Sequence, residues 1–115
     1  MTVKLTTEKF KELIFDYTEG TEWKYKGILP AIIDFYTDWC QPCKLMAPVF
    51  EELSNEYMGK VIFYKANIDD NVMLAKEFQI TSIPSILFIP LGRIPEMAVG
   101  ALPRVNLEEA VKRIL

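Results

Sequence analysis

The sequence predicts an α/β fold, a central sheet covered by helices on both faces. The β-branched and aromatic runs at residues 31–37, 61–66 and 85–89 alternate little between polar and apolar residues, which is typical of strands buried on both sides. Segments with helical periodicity separate these runs, and this order of elements gives α/β layering. With 115 residues, half of them apolar, the chain is expected to form one domain, residues 1–115, with its own core.

The N-terminal segment is predicted to form a short strand at residues 3–5 and then a helix. Thr6 or Thr7 is expected to cap this helix, because a threonine hydroxyl accepts a hydrogen bond from the unpaired N–H groups of the first turn. The apolar residues that recur at helical spacing are Phe10, Leu13, Ile14 and Tyr17. The polar residues 19–30 that follow predict a loop.

A second helix is expected to begin near Gln41, after the strand at residues 31–37. Pro42 suits its first turn, where a missing N–H is no loss, and Pro48 in its interior is expected to kink it. The side that faces the core is predicted to carry Met46, Val49, Phe50, Leu53 and Tyr57.

The second half of the chain is predicted to contain two further helices and an edge strand. Asp69 or Asp70 is expected to cap a helix after the strand at residues 61–66. Residues 96–99 predict an edge strand. Asn106 with Glu109 three residues later resembles a capping box, which predicts the start of a final helix.

Composition excludes several classes of function. Thirteen basic against sixteen acidic residues argue against binding nucleic acid through its phosphates. No segment has the roughly 18 apolar residues of a membrane span, and residues 1–10 lack a signal-peptide hydrophobic region, so a cytoplasmic protein without membrane insertion is expected. The alternative is a periplasmic protein whose export signal has been removed. Without histidine, neither a Cys-His nor a Ser-His-Asp site can be built.

The two cysteines, Cys40 and Cys43, stand three residues apart at the predicted start of the second helix. Disulfide exchange requires a thiolate nucleophile and a second thiol within its reach. Residues i and i+3 of a helix have Cα atoms roughly 5 Å apart, which a disulfide accepts. Because a helix N-terminus stabilises negative charge, Cys40 is predicted to be the exposed attacking thiol and Cys43 the buried resolving thiol.

Other interpretations of the cysteine pair remain open. The pair could be half of a zinc site, but four ligands are usual and the chain has no other cysteine or histidine, so no metal site is expected. A site shared across a dimer and two inert core cysteines are the remaining alternatives. Stability is a poor explanation for a bond between them, because the ring it closes is too short to constrain the unfolded chain much.

Asp34 interrupts the apolar run six residues before Cys40, so it is predicted to lie under the start of the second helix. Burial raises the pKa of a carboxyl group, which favours a role as general base for Cys43 when that thiol attacks. Lys65 interrupts the neighbouring buried strand and is expected near Asp34. A structural buried ion pair between Asp34 and Lys65 is the alternative.

Four stretches in the right order resemble thioredoxins. They are DFYTDWCQPCKLMAP (residues 34–48), KANID (residues 65–69), SIPSILFI (residues 82–89) and VGAL (residues 99–102). Together with the helical pattern, the resemblance covers nearly the whole chain. It implies a thioredoxin fold, in which a central five-stranded mixed sheet is flanked by four helices in three α/β/α layers.

The resemblance also implies a substrate groove beside the cysteines. Pro84 matches the family's cis-proline, and Ile83 matches the residue whose backbone pairs with an extended substrate. The residues expected to bind substrate are Trp39, Gln41, Pro42, Ile83, Pro84 and Gly100. Gln41 replaces the usual glycine of the family, at a position that tunes redox potential.

By the same resemblance, the chain is expected to be a thiol–disulfide oxidoreductase that reduces protein disulfides as a monomer. No bound cofactor is needed, because the electrons reside on sulfur. The expected electron donor is thioredoxin reductase, an NADPH-dependent flavoprotein, or a membrane-borne donor if the protein is exported. Two alternatives are an exported disulfide oxidase or isomerase and a non-catalytic binding module with the same fold.

Overall fold

The structure, a computed structural model, describes residues 1–115 and contains a five-stranded sheet and four helices in the predicted order. The elements are β1 (Val3–Lys4), α1 (Thr7–Leu13), β2 (Ala31–Tyr36), α2 (Gln41–Glu56), β3 (Ile62–Asn67), α3 (Val72–Glu77), β4 (Ser85–Ile89), β5 (Glu96–Val99) and α4 (Arg104–Arg113). The strand order is β1-β3-β2-β4-β5. Since β4 is antiparallel to both neighbours and the other pairs are parallel, the sheet is mixed, as predicted. The four helices include no segment with the length and apolar character of a membrane span.

The core is divided between the two faces of the sheet. Side chains alternate along β2, so Ile32 joins the cluster under α2 and α4, whereas Ile33 and Phe35 join the cluster under α1 and α3. Phe50 and Phe63 meet in the first cluster with ring centroids 5.1 Å apart. The prediction that the central strands are covered on both faces is therefore confirmed.

The N-cap residue of α1 was predicted correctly from the local sequence, whereas that of α3 was not. Thr6 caps α1, as one of the two predicted choices. Leu13 of the predicted apolar stripe is 40% exposed, whereas Phe10 and Ile14 are buried. The prediction that Asp69 or Asp70 caps α3 was wrong, because both lie in the turn before it and Asn71 occupies the N-cap position. The side chain of Asn71 makes no capping hydrogen bond and has longer-range partners instead.

The predicted capping box of α4 was also wrong. The helix begins at Arg104, with Pro103 as its N-cap, so Asn106 and Glu109 lie inside the helix. The carbonyl of Pro103 accepts the first helical hydrogen bond from Leu107 N at 2.9 Å. A proline at this position needs no N–H partner and has its φ angle fixed, which starts the helix earlier than a capping side chain would.

Candidate active site

Cys40 and Cys43 form a disulfide at the start of α2, with their Cα atoms 5.3 Å apart. Cys40 is the N-cap residue, and its Sγ accepts a hydrogen bond from the backbone N–H of Cys43 at 3.2 Å. The structure therefore describes the oxidised state of the pair. No group of three or more His, Cys, Asp or Glu side chains is arranged to hold a metal ion.

The expected difference in exposure between the two cysteines is absent. Cys40 is 4% exposed and Cys43 is 3% exposed, so the prediction of an exposed Cys40 was wrong for the oxidised protein. The bond to Cys43 holds the Cys40 sulfur against the first turn of α2, which explains its burial. The exposed surface beside the sulfurs comes from Trp39, 71% exposed, and from Gln41 and Pro42.

Asp34 lies in the middle of β2, two residues after Ile32, and therefore on the face of the sheet that α2 covers. It is 4% exposed, and its Oδ1 has no hydrogen-bond partner. Burial raises the pKa of Asp34 to about 7, against the opposing effect of the positive charge of Lys65. A carboxyl group with this pKa exchanges protons readily at neutral pH.

Lys65 is the β3 residue in register with Asp34, because β2 and β3 pair in parallel. The expectation that the two strands bring these residues together is met. Lys65 is nevertheless exposed, and the two side chains form no direct ion pair. The alternative of a buried structural ion pair does not hold, and Lys65 acts on Asp34 only through its field.

A cavity of about 160 Å³ connects Asp34 with Cys43. Its lining includes Asp34, Thr37, Cys43, Lys44 and Lys65. A cavity of this size with charged groups in its lining has room for water, which can carry a proton between two groups that do not touch. Thr37, at the end of the run predicted as a strand, belongs to the wall of this cavity near Asp34, and its buried hydroxyl has no hydrogen-bond partner.

Immediately before β4, the Ile83–Pro84 peptide bond is cis. Gly100 N donates a hydrogen bond to the carbonyl of Pro84 at 2.8 Å, so the segment after β5 runs beside the segment before β4. Gly100 has a φ angle of +97°, in the left-handed region that favours glycine. A backbone requirement therefore accounts for the glycine at this position.

Trp39 is oriented by a residue that sequence analysis assigned to a different task. Its indole Nε1 donates a hydrogen bond to Asp69 Oδ2 at 3.1 Å. Asp69, predicted as a helix cap, instead joins the turn after β3 to the loop before α2. The KANID stretch that contains Asp69 could be recognised in the sequence, but the hydrogen bond of this aspartate to Trp39 could not, because the two residues are far apart along the chain.

Comparison with known proteins finds similarity to thioredoxins, in agreement with the fold and the cysteine pair. The family model described as thioredoxin matches residues 1–113. The chain is 41% identical over 112 residues to a thioredoxin of Borreliella burgdorferi, which covers 97% of this chain and 96% of that protein. It is 39% identical over 94 residues to the chloroplastic M-type thioredoxin of Spinacia oleracea, with 82% of this chain and 52% of that protein covered.

A solved structure is also similar along the whole chain. The crystal structure of chloroplastic thioredoxin z has a TM-score of 0.81 and 28% sequence identity, with 98% of this chain and 93% of that chain covered. The likeness therefore extends to the fold as well as to the short motifs around the cysteines.

Proposed function

Because this chain belongs to the thioredoxin family and is a protein-disulfide reductase of that type, we propose the following dithiol mechanism for it. The Cys40 thiolate attacks one sulfur of a substrate disulfide, and the other substrate sulfur leaves as a thiolate. Cys43 then attacks Cys40 Sγ, releases the second substrate thiolate and forms the Cys40–Cys43 disulfide. Two electrons thereby pass from the cysteine pair to the substrate. The disulfide at the start of α2 is the observation that carries this proposal.

The assignment of Cys40 as nucleophile rests on its position at the N-cap of α2. There its sulfur accepts the N–H of Cys43, and the partial positive charge of the helix N-terminus favours the thiolate over the thiol. Cys43, inside the first turn, lacks this N-terminal position. Reduction of the disulfide frees Cys40 Sγ to meet a substrate between the exposed side chains of Trp39 and Pro42.

Asp34 is proposed as the proton acceptor for Cys43. Attack by Cys43 requires loss of its thiol proton, and Asp34 shares the cavity into which Cys43 faces. Because burial raises the pKa of Asp34 to about 7, its carboxylate can take up that proton and later release it to solvent. The field of Lys65 keeps this pKa from rising further, which maintains a usable fraction of carboxylate at neutral pH.

The substrate groove is proposed to run past the cysteines along the cis-proline segment. An extended substrate would pair with the backbone of Ile83 and pack its side chains against exposed apolar surface, as in strand addition at a sheet edge. The groove residues are Trp39, Gln41, Pro42, Ile83, Pro84 and Gly100.

Thioredoxins carry no bound cofactor, and the electrons for the next cycle are proposed to come from an NADPH-dependent flavoprotein, thioredoxin reductase. The protein is proposed to act as a cytoplasmic monomer. A redox potential well above that of cytosolic glutathione would contradict this direction of electron flow and favour an exported oxidase or isomerase.

Trapping tests the assignment of the cysteines. Cys43→Ser is expected to accumulate mixed disulfides between Cys40 and its substrates, because the resolving attack is lost while the first attack remains. Cys40→Ser is the matched control and is expected to trap nothing. Mass spectrometry of the trapped complexes identifies the partners. Trapping by Cys40→Ser and not by Cys43→Ser would reverse the two roles.

Single-turnover kinetics tests Asp34. Asp34→Asn is expected to slow release of a preformed mixed disulfide at neutral pH, with little effect on its formation. An equal rate of release in Asp34→Asn and wild type would remove Asp34 from the mechanism.

A further inference from the structure

Asn67, the last residue of β3, connects the loop before α2 with the turn after β3. Its Nδ2 donates a hydrogen bond to Asp38 Oδ2 at 3.3 Å, and its Oδ1 accepts one from the backbone N–H of Asp69 at 2.9 Å. Asp69 Oδ2 in turn accepts the indole N–H of Trp39 at 3.1 Å. Since Asp38 and Trp39 are consecutive, these contacts close a ring, which we call the Asn67 ring.

We propose that Asn67 is a positioning residue that orients Trp39 for protein substrates through Asp38 and Asp69. The inference deepens the proposed function, because it rests on Trp39 forming one side of the substrate groove. Asn67 itself is buried with 7% exposure, and its side chain hydrogen-bonds Asp38 and Asp69 and none of the proposed groove residues. Its effect on substrates therefore passes entirely through the ring.

An asparagine suits this position because the ring needs a donor and an acceptor on one short side chain. The amide provides both, whereas a carboxylate would provide only acceptors and would repel Asp38. A serine hydroxyl is too short to span from one loop to the other. The chemistry of the contacts thus specifies the residue type as well as its place.

Trp39 needs such support because most of it lies in solvent. With 71% of its surface exposed, the indole has little packing to select one rotamer, and the bond to Asp69 supplies the orientation. A side chain that is already oriented loses less conformational entropy when a substrate binds against it.

The ring is itself attached to the rigid part of the fold. The carbonyl of Asn67 accepts Asn71 Nδ2 at 2.8 Å, and Asn71 Oδ1 accepts the backbone N–H of Thr7 at 2.9 Å. Next to the ring, Ile68 N donates to the carbonyl of Tyr36 at 3.0 Å, which continues the pairing of β3 with β2. The sheet and α1 therefore hold the ring in place, and through the ring they fix the orientation of Trp39.

The test uses a reversal of donor and acceptor. Asn67→Asp removes the donor to Asp38 and sets two carboxylates against each other, which opens the ring. The double variant Asn67→Asp/Asp38→Asn returns an amide donor from the opposite side and is expected to close the ring again. Asn106→Asp is the control for the added negative charge, because Asn106 is exposed on α4 and takes no part in the ring or in its attachment.

Each variant is assayed with insulin, a protein disulfide, and with DTNB, a small disulfide that makes little use of the groove. For Asn67→Asp, kcat/KM for insulin is expected to fall on the order of fivefold more than kcat/KM for DTNB, because one hydrogen bond contributes a free energy equivalent to about that factor. The loss is expected to appear as a higher KM for insulin. The double variant is expected to recover most of this loss, and Asn106→Asp is expected to leave both substrates close to the wild-type values. Equal losses for the two substrates in Asn67→Asp, or no recovery in the double variant, would overturn the inference.

A second measurement does not depend on turnover. Hydrogen exchange of the Trp39 indole N–H, followed by NMR, is expected to be faster in Asn67→Asp and restored in the double variant; an unchanged exchange rate would overturn the inference. Trp39→Ala separates this inference from the groove on which it rests. If Trp39→Ala impairs insulin reduction and Asn67→Asp does not, the groove stands and the role of Asn67 is wrong. If Trp39→Ala has no effect on insulin reduction, both are wrong.

Discussion

Asp34→Asn is expected to stabilise the oxidised protein above neutral pH, because the native carboxylate is held in a buried site. Burial raises the pKa of Asp34 from 3.8 to about 7, partly offset by Lys65. A difference of one in pKa corresponds to about 1.36 kcal/mol of free energy. Deprotonation of Asp34 therefore costs about 4 kcal/mol more in the folded protein than in the unfolded chain. This value is a ceiling for the variant, because the new amide brings its own unpaired polar atoms into the same site.

The sign and the pH window follow from proton binding. Between about pH 4 and about pH 7, folded Asp34 holds a proton that the unfolded chain has released, so the wild-type free energy of unfolding decreases as pH rises through this window. Below it both states are protonated, and above it the loss is complete. Asn carries no charge at any of these values, so this contribution to the pH dependence disappears in the variant.

Urea denaturation of oxidised wild type and oxidised Asp34→Asn, at about pH 4 and at about pH 8, measures the free energy of unfolding of each protein. The stability of Asp34→Asn relative to wild type is expected to increase between the two conditions. The matched control is Asp70→Asn, since Asp70 is exposed and its charge remains in water. A difference between Asp34→Asn and wild type that is the same at both pH values would refute the reasoning.

Two further substitutions test individual contacts. Lys65→Met is expected to raise the pKa of Asp34 further, because it removes the opposing positive charge. An NMR titration of the Asp34 carboxyl measures this pKa, and a lower or unchanged pKa would contradict the assigned effect of Lys65. Gly27→Ala is expected to destabilise by about 1–3 kcal/mol, since its new Cβ would collide with the ring of Tyr25, whose hydroxyl donates to a loop carbonyl. Gly20→Ala has open space and serves as its control in thermal unfolding; equal effects of the two would contradict the contact.

The sequence alone was sufficient for the order of elements and for the cysteine pair. Apolar periodicity is a local property, so the runs that became β2, β3 and β4 could be recognised without knowledge of their neighbours. The spacing of Cys40 and Cys43 within one helical turn likewise fixes their separation, and the 5.3 Å between their Cα atoms agrees with it. Helix starts were less predictable, because Pro103 began α4 earlier than the Asn106 pattern indicated.

Only the tertiary structure decided how the residues around the cysteines act on one another. The pKa of Asp34 depends on α2 covering β2 and on a strand register that sets Lys65 opposite. The Asn67 ring joins loops some 30 residues apart in sequence. Burial, electric field and side-chain hydrogen bonds depend on distances in space between segments that are remote along the chain. A single sequence specifies the chemical groups, and the packing of those segments determines which groups meet.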